Sequence, residues 1–160
     1  DRLAEIARND ALARVEPVAL VDDPAPFSET ELTVDDVLLA AEALAAQGEP
    51  FTGIQLGEWM LESVPENPDA LAGQGWLLAR SATPDALAPA EIGLTFLDRA
   101  LGVEPAHPEA LVYRAFVHNF LGDPVLAAVD LAAFDDLETR PADLRGLILA
   151  FGLRESIDAS

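Results

Sequence analysis

"HPEALVYRAFVHNFLGDP", residues 107–124, is the stretch whose reading decides the rest of the chain. Pro108 and Glu109 open it as they would open a helix, and Gly122-Asp123 close it. Between them, small and large apolar residues recur at helical spacing. Two histidines, a tyrosine, an arginine and two phenylalanines also lie inside it. It is therefore either the wall of a reactive site or one unit of a repeat, and the remaining sequence decides between them.

The repeat wins on register. "PDALAGQGWLLARSA" (68–82) begins with the same Pro-acidic-Ala-Leu, and Gly75 stands where the first stretch has Ala115. "VDDVLLAAEALAAQGE" (34–49) falls into the same register with Ala41, and its Gly48-Glu49 matches Gly122-Asp123. A second helical stretch follows each of the three, over 50–67, 89–107 and 124–140. The units are thus 34–67, 68–107 and 108–141, with "TPDALA" (83–88) inserted between the helices of the second. Small residues recur at the eighth position (Ala41, Gly75, Ala115) and the twentieth (Gly53, Gly93, Ala127). Two helices that cross closely need small side chains at the crossing. Pro65 and Pro105 stop the second helices of units one and two.

A helix-turn-helix period of this length, with these small positions, resembles the tetratricopeptide repeat (TPR) family. The resemblance implies an all-α solenoid of three units. Departures from the family pattern are Val37, Leu71 and Leu111 at the first bulky position, Arg114 at a usual core leucine, and Phe134 at a usual alanine. Residues 142–160 follow as a capping helix and tail, with Leu144, Leu147, Ile148 and Phe151 on one stripe covering the last apolar face. Residues 1–33 read as a helix over 1–14 and a proline-punctuated lead-in. Residues 107–157 also resemble the C-terminal part of membrane-anchored bacterial members grouped with cytochrome c biogenesis factors. That resemblance implies an assembly role near haem proteins, with apocytochrome or haem-lyase components as partners.

Composition narrows the function further. The 160 residues are 51% hydrophobic, yet 29 acidic residues face 9 basic ones for a net charge of −20. All nine are arginine. This is a folded, Ala/Leu-rich core under an acidic skin, whose field disfavours nucleic acid and anionic membranes. With no cysteine, disulfides and thiolate chemistry are excluded. No apolar run is long enough to span a bilayer. The chain begins at Asp1, so the expectation is a removed upstream segment through which any membrane attachment would run.

No phosphate loop or serine-histidine-acid order supports catalysis, and no cofactor or metal is expected. His118 with Asp123 or Asp130 is the one enzymatic combination left to weigh, and His107 and His118 read better as packing or turn residues. Asp22-Asp23, Asp35-Asp36 and Asp135-Asp136 lack the alternating ligands of a calcium loop.

In the resembled family, the first helix of each unit lines a concave groove. Its inward positions, carried onto this chain, give Leu38 and Glu42 from unit one, Trp76 and Arg80 from unit two, and Val112, Phe116, Asn119 and Phe120 from unit three. Asp35 and Asp69 add an acidic end. The resemblance thus implies a partner-binding groove with Trp76, Phe116 and Phe120 as anchors, and Arg80 and Asn119 orienting the ligand. Without lysine, and with carboxylates in the groove, a C-terminal carboxylate is a poor ligand, and an apolar peptide with some positive charge a better one. Two readings stay open: a non-catalytic receptor for a peptide or protein, or a homo-oligomer whose groove is filled by its own chain or another copy.

Overall fold

A computed structural model describes residues 32–160; the helix expected over 1–14 and most of the lead-in lie outside the described residues. The described elements are helices: α1 (Val34–Ala46), α2 (Pro50–Ser63), α3 (Pro68–Arg80), α4 (Ala88–Val103), α5 (Pro108–Phe120), α6 (Pro124–Asp135), α7 (Ala142–Ala150) and α8 (Leu153–Asp158). Helices α1/α2, α3/α4 and α5/α6 pack as antiparallel neighbours, and each pair stacks on the next.

Local chemistry sets each boundary. The three first helices carry a capping side chain at the equivalent place: Thr33, Asn67 and His107 accept from the backbone N–H of Asp36, Ala70 and Ala110. Asp36 returns the bond to the Thr33 N–H, completing a capping box. Proline stands in the first turn of α2 to α6, where its missing N–H costs nothing. Gly48 and Gly122, at φ 87° and 84°, turn the chain from α1 to α2 and from α5 to α6. Their neighbours Glu49 and Asp123 then donate back to the carbonyls of Leu44 and His118. Unit two has no such glycine. Its extra residues form a tight turn instead, in which Thr83 and Ala86 exchange backbone hydrogen bonds.

Within each pair the backbones nearly touch. A Cβ on Gly53 would stand 2.7 Å from the Ala41 carbonyl oxygen, and one on Gly75 the same distance from that of Gly93. A Cβ on Gly93 would meet the Gly75 oxygen at 2.5 Å. In unit three Ala115 and Ala127 take these places, both fully buried. Around the crossings the core forms two layers. Val37, Leu56, Trp59 and Met60 lead the first, Leu97, Val112, Phe134 and Ile148 the second, and Leu61 packs against both. Gln74, fully buried between α2 and α3, donates to the Ile54 carbonyl (3.0 Å) over Gly57, where a side chain would collide with it.

The C-terminal cap differs from the single helix expected. Gly152, left-handed at φ 59°, breaks it into α7 and α8. The break lets Leu153 reach the core, while Phe151, expected on the buried stripe, is 70% exposed. Helix α7 packs on α5, and α8 on α5 and α6. Arg154 of α8 grips the Asp135 carboxylate of α6 with both Nη atoms (2.9 and 2.7 Å).

The crossing makes opposite predictions for one type of substitution. Gly75→Ala must push α3 away from α4 and should lower unfolding free energy by about 1–3 kcal/mol. Gly146→Ala, exposed in mid-α7 with open space at its Cβ, should raise it by up to about 0.5–1 kcal/mol. Urea unfolding of the two variants checks both signs.

Candidate partner-binding groove

The odd-numbered helices form one face of the solenoid, and a cleft of about 550 Å³ runs along it. Helix α1 contributes Asp35, Leu38, Leu39 and Glu42; α3 contributes Gly73, Trp76 and Arg80; α5 contributes Tyr113. Helix α7 supplies the far wall with Asp143, Leu144 and Leu147, and Phe151 follows at its end. The C-terminal cap therefore forms one side of the groove and leaves the cleft between itself and α1.

The floor is a run of aromatic rings. Tyr113 stacks on Trp76 at 4.5 Å between centroids and 8° between planes. Phe116 tilts against Trp76 at 5.6 Å, and Phe151 meets Phe116 edge-on at 6.1 Å. These contacts join α3, α5 and the end of α7. Gly73 leaves room for the Leu38 side chain, which lies where a Cβ would otherwise stand. Over the floor, Arg80 Nη1 donates to Glu42 Oε2 (2.7 Å), and its guanidinium carbon lies 6.0 Å from the Trp76 ring centre.

Of the residues expected to bind a partner, Leu38, Glu42, Trp76 and Arg80 line the cleft. Four are placed differently. Val112 is fully buried in the second core layer, because its position on α5 faces the helix crossing rather than the groove. Phe116 is half-buried beneath Trp76 and supports the floor. Asn119 donates to Ser156 Oγ (2.9 Å), so it holds α8 rather than facing the cleft. Phe120, 42% exposed at the end of α5, lies outside the cleft lining. Asp69 is likewise drawn away, accepting at 2.6 Å from His107. Because His107 Nδ1 accepts the Ala110 N–H, its Nε2 carries the hydrogen, and this N–H donates to the Asp69 carboxylate.

Tyr113 and the α7 wall lie outside the expected set. Tyr113 sits one position beyond the fifth, which the family pattern turns inward. The α7 residues carry an apolar signal that reads as covering the core, and Leu144 does this too.

The combination weighed for catalysis is occupied otherwise. Asp130, 3% exposed, receives Nε and Nη2 of Arg114 at 2.8 and 2.6 Å. Arg114 also reaches Asp98 (3.0 Å), and its two carboxylate partners, Asp130 first, hold its pKa above the ordinary guanidinium value. This cluster ties α4, α5 and α6 together where the family usually has a leucine. His118 Nε2 is 3.9 Å from Asp130, beyond hydrogen-bond reach. Asp123 caps α6 by accepting from Leu126 N–H (3.1 Å). Among the described residues no cluster of three metal-ligating side chains occurs, and no helix is long and apolar enough to cross a membrane.

No family model and no curated protein matches the sequence. Among solved structures, the thermophilic TPR protein TTC0263 of Thermus thermophilus is similar at a TM-score of 0.61. The match covers 82% of this chain and 72% of that one, at 20% sequence identity. This chain has the TPR fold. The all-α solenoid of stacked helix pairs agrees with that fold.

Burial and the carboxylates of Glu109, Glu42 and Asp143 push the Tyr113 phenol above its ordinary value, against a smaller opposing effect of Arg80. A raised acid favours the folded state while the phenol is neutral. That contribution is complete below the ordinary value of about 10 and is lost as pH rises through the raised one. Tyr113 is the single tyrosine, so a spectrophotometric alkaline titration reads it alone. No phenolate should appear at about pH 10 in the folded protein, and it should appear there once the chain is unfolded in urea.

Removing one partner of the Arg114 pair should be costly. Asp130→Ala should lower stability by about 2–3 kcal/mol, since it leaves a partly buried cation with Asp98 as its one carboxylate, and His118→Gln by less than about 1 kcal/mol. Denaturant midpoints of the two variants provide the check.

Proposed function

We propose that the chain is a non-catalytic interaction module that takes a peptide segment of a partner protein into the cleft between α1 and α7. The observation carrying this is the partly exposed aromatic floor. Trp76, Tyr113 and Phe151 and the flanking Leu38, Leu39 and Leu147 present apolar surface inside a concavity of a size that suits a few side chains. Trp and Tyr are also residues that commonly dominate binding energy. The TPR fold supports the general reading, since an inner row of helices offers a continuous surface to an extended ligand.

A bound segment would lay apolar anchors against Trp76 and Leu147, with the α7 wall opposite α1 limiting what enters. Homo-oligomerisation is the second reading, and a different surface favours it. Val125 and Val129, on the outer side of α6, are 72% and 59% exposed. The resemblance of residues 107–157 to membrane-anchored bacterial members makes an extracytoplasmic or cytoplasmic assembly role, with apocytochrome or haem-lyase components as first partners to try, the narrower form of the proposal.

Selection of random peptides displayed on phage against the full chain tests it. The peptides recovered should lose at least about tenfold in affinity for Trp76→Ala, a hot-spot truncation, and keep it for Val129→Ser on the outer face. Peptides indifferent to Trp76→Ala, or none recovered, would defeat the groove reading. Equal sensitivity to Val129→Ser would move the binding surface to α6.

A further inference from the structure

We propose that Arg80 is a built-in stand-in for an arginine of the ligand: an arginine carried by the docking segment displaces the Arg80 guanidinium from Glu42 and lies against Trp76 in its place. This rests on the groove reading above and names the chemistry of the segment the groove takes.

The cleft already shows how a guanidinium sits in it. Arg80 is in hydrogen-bond contact with Glu42 and lies close to the Trp76 ring, two of the interactions by which an arginine is recognised at a protein surface. Its hold is weak compared with that of Arg114 and Arg154. Those two grip their carboxylates with two nitrogens each, whereas Arg80 reaches Glu42 through Nη1 alone. Both Arg80 and Glu42 side chains are 42% exposed. Such a pair contributes little to stability and opens at small cost. A ligand arginine able to fork onto Glu42 would replace a one-point contact with a two-point one.

Charge points the same way. Among the described residues, three carboxylates, Asp35, Glu42 and Asp143, line the cleft against Arg80, the one cation of that described lining. The raised pKa of Tyr113, due first to burial and then to Glu109, Glu42 and Asp143, shows carboxylate fields meeting at that ring. Arg80 swinging out to solvent leaves those carboxylates facing an aromatic floor, a setting that suits an incoming cation and not an anion. The net charge of −20 further favours approach of a cationic segment over an acidic one.

The test uses a peptide from the display selection, synthesised with each basic residue intact and with arginine replaced by citrulline, its uncharged isostere. Binding to the full chain is measured by calorimetry. The citrulline peptide should bind about tenfold more weakly, and the arginine peptide should weaken as salt rises. Arg80→Gln should tighten the arginine peptide by about two- to fivefold, the size expected when a competing surface pair is removed. Glu42→Gln should weaken it by about three- to tenfold, and the citrulline peptide, which lacks the charge, should respond less to either variant than the arginine peptide does.

Arg80→Gln weakening the arginine peptide would overturn the inference, because Arg80 would then be a direct ligand contact. Peptides that need Trp76 yet are indifferent to citrulline would also overturn it, while leaving the groove reading intact. Loss of the groove reading itself shows separately, as indifference to Trp76→Ala.

Discussion

Where the two helices of a repeat cross, a carbonyl oxygen of one stands where the Cβ of the other would be. At Gly75 and Gly93 this holds in both directions, and at Gly53 against Ala41 in one. No side chain can be added there without separating the backbones. The close approach brings the remaining apolar side chains of both helices to the flanks of the crossing, where they interdigitate as core. It also fixes the inclination of one helix on the next, and hence which stripe of each first helix faces the core and which the groove. Val112 and Tyr113 are consecutive on α5, yet one is fully buried in the core and the other lies on the groove floor. That division is set by the crossing at Ala115 and Ala127.

The groove inherits its rigidity from the stacking of the first helices. Leu38 of α1 seats in the space left by Gly73 of α3, and Asp69 and His107 tie the starts of α3 and α5. Asn119 extends the series to Ser156 of the cap. The rings follow the same path, Trp76 to Tyr113 and Phe116 to Phe151. Aromatic contacts of this kind add to area burial, and here they also set the distance between helices that share little other surface. A surface built this way offers a ligand fixed positions rather than a loop that must be ordered first, which lowers the entropic cost of docking.

The repeat was legible because its signals are local and recur. Caps at Thr33, Asn67 and His107, prolines in first turns, and small residues at fixed intervals each have a one-to-one structural meaning. The groove was legible only where the family pattern holds undisturbed, in α1 and α3, which supplied Leu38, Glu42, Trp76 and Arg80. In α5 the pattern misplaced residues because a neighbour in space, not in sequence, decides their fate. Asn119 is claimed by α8, and Val112 by the core. The fourth wall depends on where α7 leans after α6. The separate placing of Phe151 and Leu153 follows from the left-handed Gly152, which a helical stripe running through Phe151 does not reveal.

The use of arginine explains how so acidic a chain keeps both a core and a binding face. Arg114 occupies a site where a leucine would pack, and it is tolerated because Asp130 and Asp98 satisfy it between three helices. Arg154 secures the cap to α6 in the same manner. In both places a cation is surrounded by carboxylates with fixed geometry, so it serves as a structural clasp and is not free to meet a ligand. Arg80 alone among the described arginines sits on the groove lining, exposed and held at one point. In the proposed docking, the chain would meet its partner through a cleft whose fixed charges are negative and whose positive charge would move aside. Selectivity for a cationic segment would then arise from what Arg80 uncovers, and exclusion of weaker ligands from what it covers.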